Sequence, residues 1–351
     1  VARRLKPIVL LAVLVACVAA PASSQATLVF TRNPLNPAVF AAKDNGSAAR
    51  RVGWGSNPRV SPDGKTIVFY RSGKGNQPAA LMVAAASGGA PRKLASGWQA
   101  PFVFAWSSDS ARIAVLLGPE IGAQRLTTID IATGVQQTIA SGFFSGVSFS
   151  PQGSEQLVYA RAASESFPPR SDVYRIDLLP PGAVGIAAPQ PQQLTSDHRS
   201  SSPLWGPGNR IVFVKHLGGK SRKYGPKNDL FLMKPDGSGV KRLTHTKVDP
   251  LLSGLSPTEW SANGRRLLTE FGGQDTSYAV TVNPRTGAER ALTKEREVGF
   301  VGTAISFDGK VVLGSIGGFE PGPGHEVVSI PYAGGKPSVL ARNASEPDWS
   351  R

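Results

Sequence analysis

The chain has 351 residues, 40% hydrophobic and 18% charged, with a formal net charge of +15. Cys17 is its one cysteine, which excludes a disulfide framework, and a fold of about 325 residues is large enough to be held by burial alone. The basic balance favours anionic partners without specifying a fold.

Residues 1–26 read as a signal peptide. Arg3, Arg4 and Lys6 form a positive n-region, and residues 7–18 an apolar stretch too short to span a bilayer. Ala20-Pro21-Ala22 and Ser24-Gln25-Ala26 are both cleavage sites of the small-residue type. The expected location is extracytoplasmic: periplasm, cell surface or secreted. Leu14-Val15-Ala16-Cys17 resembles a bacterial lipobox, which implies lipidation of Cys17 and a membrane link through that anchor alone. The alternative is simple secretion, with Cys17 a small apolar residue of the leader.

Residues 27–351 read as a single domain. Thr27-Leu28-Val29-Phe30-Thr31-Arg32 is strand-like, as are Val39-Phe40-Ala41-Ala42 and, after the turn Asp44-Asn45-Gly46, Arg50-Arg51-Val52. A phrase then recurs: Val60-Ser61-Pro62-Asp63-Gly64, Trp106-Ser107-Ser108-Asp109-Ser110, Phe149-Ser150-Pro151-Gln152-Gly153, Trp205-Gly206-Pro207-Gly208-Asn209, Trp260-Ser261-Ala262-Asn263-Gly264 and Ile305-Ser306-Phe307-Asp308-Gly309. A broken copy, Asp348-Trp349-Ser350-Arg351, closes the series. The spacing of roughly 43 to 56 residues is that of propeller blades or solenoid units.

Each copy is an apolar residue followed by turn formers; Pro presets φ, and Gly or Asn accepts positive φ. A β-rich strand follows, such as Thr66-Ile67-Val68-Phe69-Tyr70 or Arg210-Ile211-Val212-Phe213-Val214. An alternating third strand comes next, such as Asp172-Val173-Tyr174-Arg175-Ile176-Asp177. A polar turn such as Pro235-Asp236-Gly237-Ser238-Gly239 leads to a short fourth strand, Arg242-Leu243-Thr244. Four antiparallel strands per repeat make an all-β fold, a β-propeller.

Two insertions interrupt the pattern. Residues 166–192 are Pro-rich and read as irregular chain around the third or before the fourth strand. Residues 215–228 carry five cations, among them Lys220, Arg222 and Lys223, with Tyr224 beside them. Read as a binding loop, the cations attract an anionic polymer and Tyr224 stacks on a sugar. The other reading is a solvated hairpin tip. At the C-terminus, residues 345–350 supply the first strand that the segment from residue 27 lacks. Joining them gives seven blades, six whole and one composite; the alternative is six blades with a loose N-terminal strand set.

The segments Asn57-Pro58-Arg59-Val60-Ser61-Pro62-Asp63-Gly64-Lys65-Thr66-Ile67-Val68-Phe69 and Asp229-Leu230-Phe231-Leu232-Met233-Lys234-Pro235-Asp236-Gly237-Ser238-Gly239-Val240-Lys241-Arg242-Leu243-Thr244 resemble the repeat of TolB-type propellers. The resemblance covers nearly everything after residue 26. Its motif residues are turn and packing residues, so it implies a fold more than an activity. TolB proteins carry an α/β domain before the propeller, whereas strand-like sequence here follows the leader directly.

Little points to catalysis. There is no Gly-x-Ser-x-Gly elbow. His198, His216, His245 and His325 are dispersed and read as loop or rim residues. Residues 317–326 are Gly-rich without a Walker lysine, and Asp236 lacks the companions of a calcium loop. Asn45-Gly46-Ser47 and Asn343-Ala344-Ser345 are sequons. The sequence therefore points to a monomeric, non-enzymatic scaffold with no cofactor, no metal and no catalytic residue assigned. Its expected partner is an envelope protein or an anionic cell-wall polymer, and not nucleic acid. The alternative is a propeller lyase or hydrolase acting on a glycan at the channel mouth.

Overall fold

The computed structural model describes residues 26–33, 35–74, 78–98, 102–118, 122–165, 170–183, 185, 187–218, 227–248, 252–273, 277–293, 299–317 and 324–350. Every regular element among them is a β-strand. The leader with Cys17, and Lys220, Arg222, Lys223 and Tyr224, lie outside the described residues.

The ladders resolve into seven antiparallel units of four strands. In unit 1, Ala344–Trp349 pairs Thr27–Arg32, followed by Ala38–Lys43 and Arg50–Trp54. Unit 2 is Ser56–Val60, Thr66–Arg71, Ala79–Ala85 and Arg92–Trp98. Unit 3 is Phe102–Trp106, Arg112–Leu117, Gln124–Asp130 and the first part of Gln136–Phe149. The rest of that strand opens unit 4, with Gln156–Ala162, Ser171–Asp177 and Gln192–Gln193. Unit 5 is Ser200–Gly206, Arg210–Leu217, Lys227–Met233 and Lys241–Arg242. Unit 6 is Leu252–Trp260, Leu267–Gly273, Ser277–Val282 and Glu289–Ala291, and unit 7 is Val301–Ile305, Val311–Ile316, Glu326–Pro331 and Ser338–Arg342.

The core sits between units. Side chains alternate across a strand, so each sheet offers two apolar faces. In Thr66–Arg71, Ile67 and Phe69 pack with Val29, Val39 and Val52 of unit 1, while Val68 packs with Ile113 and Val115 of unit 3. The pattern repeats round the molecule. Further clusters join units 3 and 4, 4 and 5, 5 and 6, and 6 and 7. A last one joins Ala304, Leu313 and Val327 of unit 7 to Leu28, Phe30 and Ala344 of unit 1. The stack therefore returns to its start.

Several expectations change. The basic insertion is shorter than 215–228: Lys215, His216 and Leu217 continue one strand, and Lys227 and Asn228 begin the next. His216 and His325 are buried rather than rim residues, because each lies at a strand end covered by its neighbours. The fourth strand of unit 3 is long, since Gln136–Phe149 passes into unit 4 without a break. Gly142 makes this possible at φ 147, with Ala162 O only 3.0 Å from where a Cβ would stand.

Candidate functional site

The recurrent phrase builds the fold. Ser61 Oγ donates to Asp63 Oδ1 (2.6 Å) and accepts from Thr66 N–H (2.9 Å), while Asp63 Oδ1 also accepts from Lys65 N–H. Ser107 with Asp109, Ser261 with Asn263, and Ser306 with Asp308 repeat the arrangement. The Lys310 amide, then the Ser306 hydroxyl, hold the Asp308 carboxyl down to about 2. These turns also tie unit to unit: Asp63 N–H donates to Ser110 Oγ (3.1 Å), and Arg210 Nη2 to Gly264 O (2.8 Å).

A second device serves the outer edge of each unit's first strand, where unpaired N–H groups need acceptors. Every one of the seven breaks register part-way along. Positive φ occurs near these bulges at Asn57, Gly146, Ser202 and Glu346. The residue before the closing aromatic then reaches to the next unit. Asp348 Oδ2 accepts from Val60 N–H (2.9 Å), Glu259 Oε2 from Ile305 N–H (2.6 Å), and Ser148 Oγ from Trp205 N–H (3.1 Å). Glu346 accepts from both Asn57 N–H (2.8 Å) and Thr31 Oγ1 (2.7 Å). Sequence reading missed these acceptors. Their signal was a polar side chain immediately before the aromatic of the phrase.

Polar chemistry concentrates at units 4 and 5. Buried Asp172 accepts from Thr195 Oγ1 and His198 N–H and pairs with His198 Nδ1 at 2.7 Å. Asp197 pairs with Lys215 at 2.6 Å and accepts from Ser200 Oγ. Beside them Ser201 Oγ lies 2.9 Å from His216 Nε2, and His216 Nδ1 lies 2.8 Å from Asn228 Oδ1. With Asn228 Oδ1 accepting, the ring proton sits on Nδ1 and Nε2 accepts from Ser201. Burial pushes the His216 pKa down, against the opposing pull of Asn228 and Asp197, so the ring is neutral. The order Ser–His–Asn is that of a nucleophile, a base and an orienting group, but Ser201 is only 3% exposed. The strands that carry the 219–226 segment, Arg210–Leu217 and Lys227–Met233, are also those that carry His216 and Asn228.

Acids elsewhere are likewise committed to the fold. Asp229, fully buried, contacts Arg242 and Lys227 and accepts from Thr246 N–H (3.0 Å). Thr246 Oγ1 donates in turn to Glu289 of unit 6 (2.9 Å), whose pKa burial raises.

A cleft of about 840 Å³ opens between units 1 and 2, where each unit passes from its second to its third strand. Arg71, Lys74 and Lys93 line it with Trp54, Asn36 and Ser96, and among the described residues no acid contributes to its wall. Among the described residues, no group of three or more His, Cys, Asp or Glu side chains is placed to hold a metal ion.

No family model and no curated protein matches the chain. Solved structures do. TolB from Acinetobacter baumannii is 16% identical, with 92% of this chain and 82% of that one covered at a TM-score of 0.56. The β-propeller domain of the Trilobed protease from Pyrococcus furiosus is 14% identical over 91% of this chain and 99% of that one, with a TM-score of 0.61. An oligogalacturonate lyase from Vibrio parahaemolyticus is 13% identical over 91% and 85%, with a TM-score of 0.55. A TolB protein, a domain of a protease and a lyase share this architecture, so the likeness is one of fold and leaves activity open. What the chain has in common with all three is the β-propeller, of the kind that TolB carries.

Proposed function

We propose that the protein is an extracytoplasmic, non-enzymatic scaffold whose seven units are the blades of one closed ring, and that it binds an anionic partner, an envelope polymer or an acidic protein. The observation that carries this reading is the unequal use of charge. Acids such as Asp63, Asp308, Glu259, Asp348, Glu346 and Asp229 are occupied by backbone N–H groups, hydroxyls or internal cations. Cations such as Lys43, Arg71, Lys74, Lys93, Lys234 and Lys241 are exposed and free to attract anions. Export through the leader, with or without lipidation of Cys17, belongs to the same proposal. The test is retention of the purified protein on an acidic wall polymer and on a neutral polymer of equal size. Selective retention supports the reading, and equal passage through both contradicts it. The same columns decide the role of the 219–226 loop: replacing Lys220, Arg222 and Lys223 by Ser abolishes retention if the loop is the site.

The Ser201–His216–Asn228 chain favours a second reading, a hydrolase. Such a chain attacks acyl carbons, so its substrate would be an acylated glycan or ester. This reading requires turnover of a simple acyl ester that Ser201→Ala abolishes. Absence of turnover by the unaltered protein removes it.

A further inference from the structure

We propose that the cleft between units 1 and 2 is a binding site for an acidic oligosaccharide, with one sugar ring against Trp54 and its anionic groups on Lys74, Lys93 and Arg71. The inference rests on the anionic-partner reading and assigns it a place and a ligand class.

Trp54 is 48% exposed and lines the cleft. Its backbone is fixed by two glycines. Gly53 packs on the Phe69 ring, where a Cβ would come within 2.8 Å of Cζ. Gly55 sits at φ 147, where a Cβ would meet Tyr70 O at 2.2 Å, and its N–H donates to Pro37 O (2.8 Å). The Arg51 guanidinium covers one face of the indole at 4.6 Å and adds a cation beside it. A defined backbone and the Arg51 contact restrict where the indole can point, which lowers the ordering cost of stacking.

The cations come from separate strands. Arg71 ends the second strand of unit 2, Lys93 lies on its fourth, and Lys74 on the chain leading to the third. Among the described residues none of the three side chains makes an ion pair or hydrogen bond. Three unpaired cations around one cavity repel one another, and an anion placed between them relieves that repulsion. The volume of about 840 Å³ falls within the range of small-molecule sites and holds a few sugar rings. Single-stranded nucleic acid also combines cations with stacking, but its sites present successive aromatics along a groove. Here Trp54 is the one aromatic side chain among the described residues that line the cleft.

The test is titration calorimetry on the purified protein with a hexamer of galacturonic acid, a neutral hexamer of glucose, and a six-nucleotide thymidine oligomer. The acidic hexamer binds and the neutral hexamer does not. Trp54→Ala weakens binding about tenfold, as loss of one good contact does. Lys74→Ser with Lys93→Ser weakens it by roughly three- to tenfold at low salt. Both changes are at exposed positions, and unchanged thermal unfolding shows that the fold is intact. Trp54→Phe keeps a flat ring and restores part of the affinity. If the acidic hexamer binds but only Lys220, Arg222 and Lys223 matter, the cleft proposal fails and the anionic reading stands. If no anion binds, both fail. Equal binding of the neutral hexamer, or tighter binding of the thymidine oligomer with the same response to Trp54→Ala, also overturns the proposal.

Discussion

Ser350 and Thr27 are bonded as the two ends of one tight turn are, although 323 residues separate them. Thr27 N–H donates to Ser350 Oγ (2.9 Å) and Ser350 N–H to Thr27 O (3.0 Å). Within a continuous turn Thr66 N–H donates to Ser61 Oγ (2.9 Å) and Ser61 N–H to Thr66 O (2.8 Å). The composite unit thus reproduces without a covalent link what units 2, 3, 6 and 7 make with one. Residues Leu28 and Val29 face Trp349 and Asp348 across the ladder that follows.

Deleting residues 345–351 removes that ladder, the Ser350 contacts and the half-buried Trp349. The expected cost is several kcal/mol, about 1 kcal/mol per lost hydrogen bond plus the apolar contacts of Trp349. Thermal unfolding checks it. A truncated chain that melts within a degree or two of the parent would show that the composite unit does not hold the ring.

Glu259→Ala leaves the Ile305 N–H without its acceptor at a buried position. It should cost about 1–3 kcal/mol, whereas Glu259→Gln, which keeps an oxygen there, should cost less. Denaturant unfolding of the pair checks this. Equal stabilities for Ala, Gln and the parent would show that the outer edge of the first strand needs no acceptor.

Asp229→Ala strips Arg242, Lys227 and the Thr246 N–H of their common partner. Breaking a buried pair from one side costs about 3–5 kcal/mol. Adding Lys227→Met and Arg242→Met should recover much of it, since the unpaired charges are then gone. No recovery would place the cost in packing rather than in charge.

Acid should weaken the fold in two steps. The His216 pKa is lowered in the folded state, so the unfolded chain binds its proton more readily. Stability is complete above about 6.5, the usual His value, and falls as pH drops below it. Asp308, held at about 2, keeps its contribution until the usual carboxylate range and loses it as pH falls toward 2. Unfolding followed from pH 8 to 3 checks both steps. His216→Asn should flatten the first step and leave the second.

The turn phrase was legible because its chemistry is local: Ser, Asp and Gly bond within five residues. Composite closure was legible because each terminus carried what the other lacked. His216 was misread because Lys215-His216-Leu217 precedes two glycines and looks like loop, while its burial depends on Ser201 and Asn228. The roles of Glu259 and Asp348 were hidden because their partners, Ile305 and Val60, lie 46 and 288 residues away. The cleft was hidden for the same reason. Trp54, Arg71 and Lys93 belong to different strands of two units and Lys74 to a connection between strands, so no short segment shows them together.

Anion binding by the outward cations is most directly tested by the dissociation constant for an acidic polymer as a function of salt. Affinity should fall steeply between low ionic strength and about 0.5 M, as the Debye length shrinks from roughly 30 Å at 0.01 M to a few ångströms. Binding that is absent, or present and indifferent to salt, would contradict the account.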